Sequence, residues 1–201
     1  MSKVVVFMNL TLDGVMQAPG RPDEDRRGGF EYGGWAVPYA DQEMGKVATE
    51  SMATTGGLLF GRRTYEDFYS VWPKRTDGNP FTTVLNNTPK YVASTTLEEP
   101  LPWVNSTLLQ GDATEAVDGL KRQPGKDLVI LGSGELVRSL MRRNLIDTYV
   151  LQIHPLLLGA GRRLFSDVGP YAALRLVNTR TTTTGVIIAT YEPALTSTNK
   201  S

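Results

Sequence analysis

Glycine, two arginines and a threonine stand together at Gly61-Arg62-Arg63-Thr64, where the apolar run LLF (58–60) stops and a helical pattern begins. A strand-to-helix turn leaves the first N–H groups of the helix unpaired. With the positive end of the helix dipole, these groups make an anion site. Glycine lets the backbone approach a ligand closely, while arginine and threonine add charge and a hydroxyl. A second turn of the same design, Gly132-Ser133-Gly134 followed by Glu135, lies between DLVIL (127–131) and ELVRSLM (135–141). Ligands bind at such strand ends in open α/β sheets, and two anion sites at neighbouring strand ends suit a diphosphate. The strand-like KYVAS (90–94) runs into Ser94, Thr95 and Thr96. Their hydroxyls either contact a ribose or its phosphate, or close a turn.

Other chemistries fit the residues less well. GSGELV has the strand, GxG and helix of a Rossmann fingerprint, but its third position is Val137 and no acidic residue closes a second strand about 20 positions on. The single histidine, His154, precedes a proline near a strand end. No nucleophile elbow G-x-S-x-G accompanies it, so a packed or capping imidazole is expected. One histidine and no cysteine exclude a poly-histidine or thiolate metal centre within one chain, so no metal is expected. The formal net charge is zero, which argues against nucleic acid as a partner. No run approaches the roughly 18 apolar residues of a membrane span. The N-terminus lacks a secretory pattern, and a cytoplasmic protein is expected.

The elements that must position these residues follow from pattern. KVVVFMNL (3–10) is a buried strand. Residues 13–38 hold the charged run RPDEDRR among glycines and prolines, which reads as a mobile polar loop, either a functional lid or a tolerated surface insertion. Residues 39–57 read as a helix ending in glycines, and 63–72 as a second helix broken by Pro73. Residues 74–88 are turn-rich. Strands follow at 90–94 and 106–111, a helix capped by Asp112 with Glu115 three residues on, the apolar strand 127–131, a helix over 134–144 and a strand over 146–159. A hairpin over 172–192 closes the chain. The fold class is therefore α/β, a three-layer sandwich with a mostly parallel central sheet and an antiparallel C-terminal hairpin. One domain is expected over 1–193, with a tail over 194–201.

Taken together and in order, NLTLDG (9–14), GRRTYEDF (61–68), TPKYVASTTL (88–97), LGSGELVRSLMRRNLIDTYVLQIHPLLLGAG (131–161) and RRLF (162–165) resemble the dihydrofolate reductase superfamily. They are most similar to the bacterial branch related to the reductase domain of the bifunctional riboflavin-biosynthesis deaminase-reductase. The resemblance implies an NADPH-dependent reductase acting on a small heterocyclic or carbonyl/imine substrate. It places Gly61, Arg62, Arg63 and Thr64 at the cofactor phosphates. Ser94 and Thr95 fall at the adenosine ribose, and Gly132, Ser133, Gly134 and Glu135 at the pyrophosphate, with an unusual cis peptide at the glycine pair. Thr95 stands where branch members often carry arginine, so NADH stays possible.

On the substrate side the resemblance implies that Asp13 and Gly14 face the nicotinamide pocket, and that Trp35, Tyr39, Asp41 and Leu158 contribute to its wall. Asp13 and Asp41 are the candidate catalytic carboxylates. One extra residue separates Asp41 from Pro38, and one residue turns a helix by about 100°. Asp41 thus either lines the pocket or faces solvent, and true dihydrofolate reduction is disfavoured. A nucleotide-binding regulatory protein that keeps the cleft without turnover is the alternative. No H-x-E or P-C-x-x-C deaminase signature is present. The resemblance also suggests a homodimer, with exposed apolar area on the terminal strands as the place to look for its contact.

Overall fold

The β-branched run near the N-terminus forms β1 (Val4–Thr11), which buries nearly every side chain and pairs in parallel with β5 (Asp127–Leu131) and β6 (Thr148–His154). In the computed structural model, which describes residues 1–165 and 171–194, one eight-stranded sheet runs through the molecule in the order β4-β3-β2-β5-β1-β6-β8-β7. β2 (Thr55–Gly61), β3 (Lys90–Ala93) and β4 (Ser106–Leu109) extend the parallel part. β8 (Ile187–Pro193) is antiparallel to both β6 and β7 (Leu174–Thr181). This is the expected sandwich: a mostly parallel sheet with an antiparallel C-terminal hairpin.

Alternation along the strands separates two cores. Val4, Val6, Met8 and Leu10 of β1 pack with Leu136, Val137 and Leu140 of α5 (Gly134–Arg142) and with Val117 of α4 (Ala113–Arg122). Val5 faces the other side, with Tyr65 of α2 (Arg62–Val71) and Leu85 of α3 (Pro80–Asn87). On that side α1 (Gln42–Thr54) buries no residue fully. It contributes Met44, Ala48 and Met52 to the wall of a cavity instead.

Three expectations need correction. Residues 74–88 hold α3, which Asn79 caps by accepting from Phe81 N–H at 2.9 Å, with Pro80 in the first turn. Gly56 and Gly57 do not end α1; they lie in β2. A Cβ on Gly57 would stand 2.8 Å from Tyr91, and one on Gly56 2.7 Å from Lys126. Residues 13–38 are no purely polar loop. Val15, Ala18, Phe30 and Trp35 make a third apolar cluster, tied through the buried Gln17. Its carbonyl accepts from Trp35 Nε1 at 2.7 Å, its Nε2 donates to the Asp25 and Arg27 carbonyls, and its Oε1 accepts from Arg162 N–H. Asp112 caps α4 as expected, accepting from Thr114 N–H at 2.7 Å and Glu115 N–H at 3.3 Å. Of the tail expected over 194–201, Ala194 donates to the Ala173 carbonyl, and 195–201 lie outside the described residues.

Candidate functional site

β2 and β5 are neighbours, so the turns that follow them open at the same edge of the sheet. The two turns are stitched together by a reciprocal pair of hydrogen bonds. Gly61 N–H donates to Ser133 Oγ at 2.9 Å, and Ser133 N–H donates to Thr64 Oγ1 at 3.1 Å. Ser133 and Gly132 both sit in the left-handed region, at φ 60° and 66°, which turns the chain sharply into α5. A Cβ on Gly132 would meet Thr64 Cγ2 at 3.1 Å. Neither α2 nor α5 has a side-chain cap, and the first turn of α2 carries no acidic residue. The hydroxyls of Thr64 and Ser133 therefore fix the turns to one another, no side chain caps either helix start, and Glu135 stands in the first turn of α5. The link between Gly132 and Ser133 is trans: among the described residues the one cis peptide is Glu99–Pro100. Successive left-handed residues make the turn that the resemblance ascribed to a cis bond.

A cavity of about 1510 Å³ opens beside these turns. Gly61, Arg62, Arg63 and Thr64 line it, as do Gly132, Ser133, Gly134 and Glu135, and Ser94 and Thr95 beyond β3. Ser94 Oγ accepts from Thr96 N–H at 3.1 Å and Leu97 N–H at 3.0 Å, so the serine also closes its own turn. Arg62 makes an exposed pair with Glu66 at 3.3 Å, a weak contact of the kind that leaves a side chain recruitable. Met16 packs against Gly134, where a Cβ would collide with its thioether.

The long N-terminal loop forms another wall of the cavity. Arg21 pairs with Asp67 of α2, which ties the loop to the helix that starts at the first turn. Glu24 lines the cavity and accepts from the Gly20 and Arg21 N–H groups through Oε2, at 2.7 and 3.0 Å. Burial pushes its carboxyl above the usual range, and the charge of Asp67 adds to this.

The expected catalytic and substrate-wall residues stand apart from the cavity lining. Asp13 is held by three donors: Thr11 Oγ1 at 2.5 Å, Gly159 N–H at 2.9 Å and Leu158 N–H at 3.3 Å. Burial works against its charge, but these donors outweigh it and hold its pKa below the usual value. Asp13 thus clips the end of β1 to residues 158–159, with Gly14 at φ 78° completing the turn. Asp41 caps α1 at Glu43 N–H, 2.7 Å away, and accepts from Thr183. Those contacts, the Thr183 hydroxyl first, lower its pKa. Trp35 and Tyr39 stand edge-on to His154, at 5.1 and 5.4 Å between ring centres. Leu158 packs on the Val15–Phe30–Trp35 cluster. Each carboxylate has one donor two residues away, Thr11 Oγ1 for Asp13 and Glu43 N–H for Asp41, and the rest come from distant loops: residues 158–159 for Asp13 and Thr183 for Asp41.

His154 is fully buried, and burial pushes its pKa down to about 4. Two buried or half-buried strand amides, Asn9 and Gln152, also line the cavity, as does Glu24, and residue type and spacing single out none of the three. A polar side chain inside an apolar strand was the available signal for the amides. Glu24 lay hidden in a charged run.

Architecture and site together define a dihydrofolate reductase-like fold with a cleft at the parallel strand ends. The chain belongs to the RibD C-terminal domain family, whose model matches residues 2–188. It is 29% identical over 195 residues to the uncharacterised protein YyaP of Bacillus subtilis (strain 168), covering 94% of each chain. Among solved structures it is similar to a pyrimidine reductase-like protein from Corynebacterium diphtheriae, with a TM-score of 0.66 and 12% identity over 97% of this chain and 93% of the other. It is also similar to dihydrofolate reductase from Enterococcus faecalis complexed with NADP(H), with a TM-score of 0.61 and 15% identity over 95% and 96%. Among the described residues, no helix is long and apolar enough to cross a membrane, and no three metal-ligating side chains cluster.

Proposed function

We propose that the protein is an NADPH-dependent reductase that transfers hydride to a small heterocyclic or carbonyl/imine compound. The observation that carries this reading is the pair of stitched turns. Two uncapped helix starts, fixed by the Gly61–Ser133 and Ser133–Thr64 bonds, face one cavity with Arg62 and Arg63 beside them. In this reading they hold a diphosphate, Ser94 and Thr95 take the ribose, and an arginine takes the 2′-phosphate. The nicotinamide supplies the hydride when bound. The chain's own work is to place the acceptor against it, exclude water and supply a proton. Glu24 is the carboxyl assigned to the proton, since it lines the cavity and burial favours its protonated form. Asp41 is withdrawn from that role by its contacts with Glu43 and Thr183, which also argues against gripping a pterin as a true dihydrofolate reductase would. The substrate is a small molecule, and the active form is a homodimer joined through the outer strand β7, where Leu176 and Val177 are 50% and 46% exposed.

Paired titrations of NADPH and NADH test the reading, with Arg62→Ala and Arg63→Ala alongside. NADPH should bind more tightly. Its affinity should fall with salt, and about tenfold with loss of the arginine that meets the 2′-phosphate. Equal affinities would remove the 2′-phosphate assignment, and absence of binding would remove the reductase reading.

A further inference from the structure

Helix α1 crosses one face of the sheet without fully burying any of its residues. Most helical stability in proteins comes from an apolar face packed on a core, so α1 must be held in another way. Polar contacts hold it. At its N-terminal end the Tyr39 carbonyl accepts from Thr184 Oγ1 at 2.9 Å, and the Asp41 carboxylate accepts from Thr183 N–H at 3.1 Å. At its C-terminal end Lys126 Nζ donates to the Ala53 carbonyl at 3.1 Å. Between the two ends Arg180 donates twice to the Glu50 carboxylate, at 3.1 and 2.8 Å. Thr183, Thr184 and Arg180 all belong to the β7–β8 hairpin, so α1 is fastened sideways to the hairpin rather than down onto the sheet.

Space lies on both sides of the helix. Met44, Ala48 and Met52, four residues apart and so on one side of the helix, line the large cavity, which the sheet lines with Phe7, Val129 and Leu131. Val47, Glu50 and Thr54 line a second cavity of about 240 Å³, against β1, β5, β6, β7 and β8. Ser51 and Val129 line both, so α1 is the partition between them. At about 1510 Å³ the large cavity exceeds the roughly 300–1,000 Å³ of ordinary small-molecule sites.

We infer that α1 is a strap that closes on the occupant of the cavity. A flat apolar ring against Phe7 and Leu131 draws Met44, Ala48 and Met52 inward, and the Glu50–Arg180 pair holds the strap in its outer position. Methionine suits such a face, since its flexible thioether adapts to rings of differing outline. The inward shift gives up one exposed ion pair, a contact weak enough to yield, and removes apolar area from water. Closure needs only an apolar ring in the cavity, whether or not that ring is reduced.

The chain contains no cysteine, so Thr49→Cys on α1 and Ser70→Cys on α2, both exposed positions, take nitroxide labels at those two sites alone. Pulsed electron resonance then gives the distance between the helices. The probe is 1-anilinonaphthalene-8-sulfonate, whose emission rises when its rings are buried. Saturating probe should shorten the label distance by about 2 Å and narrow its spread. Ala48→Asp, which puts a charge on the apolar side of the strap, should weaken probe binding about tenfold. Arg180→Ala should shift the distribution toward the short distance without probe and tighten probe binding about threefold, with Tm nearly unchanged. A merely structural ion pair would lower Tm and leave probe binding no tighter. No probe binding, probe binding unchanged in Ala48→Asp, a label distance unmoved at saturation, or probe binding no tighter in Arg180→Ala overturns the inference. If the strap closes but NADPH does not bind, the strap stands and the reductase reading falls.

Discussion

His154, the only histidine in the chain, gives one clean reporter at the residue scale. Its ring should titrate at about 4, with no step near 6.5, and NMR should show the proton on Nε2, which Asn9 Oδ1 accepts at 3.0 Å. Between those values the unfolded chain binds more protons than the folded one. Stability is therefore full above about pH 6.5 and falls, by about 3 kcal/mol from this group, as pH drops toward 4. His154→Phe should flatten that part of the curve, and a midpoint near 6.5 would show a solvated ring. The ten positions expected on the cofactor side all line the cavity, and they are legible because glycine, arginine and hydroxyl types mark a turn whatever surrounds them. The place of Gln152 in the cavity wall is not, because it depends on packing.

α1 shows what pattern reading can and cannot recover at the scale of elements. Pattern starts this helix at residue 39 and leaves open the face that Asp41 presents, since one inserted residue rotates everything after it. In the fold the carboxylate serves Glu43 and Thr183. Asp41→Ala should remove the cap of α1, seen as a fall in Tm of about 2–4 °C, with NADPH affinity unchanged. A large loss of affinity without loss of stability would return Asp41 to the site. α3 is masked in the sequence although Asn79-Pro80 is a sound helix-start signal, because neighbouring turn formers dominate the window. The glycines at 56–57 look like a helix end in the sequence, whereas crowding against Tyr91 and Lys126 in the sheet requires them.

Over the whole molecule, the alternation of strands and helices was enough to give the layers and the antiparallel close. The N-terminal loop was not legible, since its buried residues follow no period and pack through turns. It is joined to α2 by Arg21 and Asp67, so it should govern release from the cavity. Arg21→Ala and Asp67→Ala should each speed NADPH dissociation about fivefold, and the double variant no more than either, a coupling of about 1 kcal/mol. Additive effects would show that the pair does not act as a latch. The homodimer reading is tested by sedimentation: Leu176→Asp should give monomers, and an unaltered protein that sediments as a monomer would remove it. Backbone amide shifts on adding NADPH show whether the stitched turns hold a dinucleotide diphosphate. The largest changes should fall at Arg62, Arg63, Thr64, Gly134 and Glu135; saturation with those amides unmoved would rule the diphosphate site out.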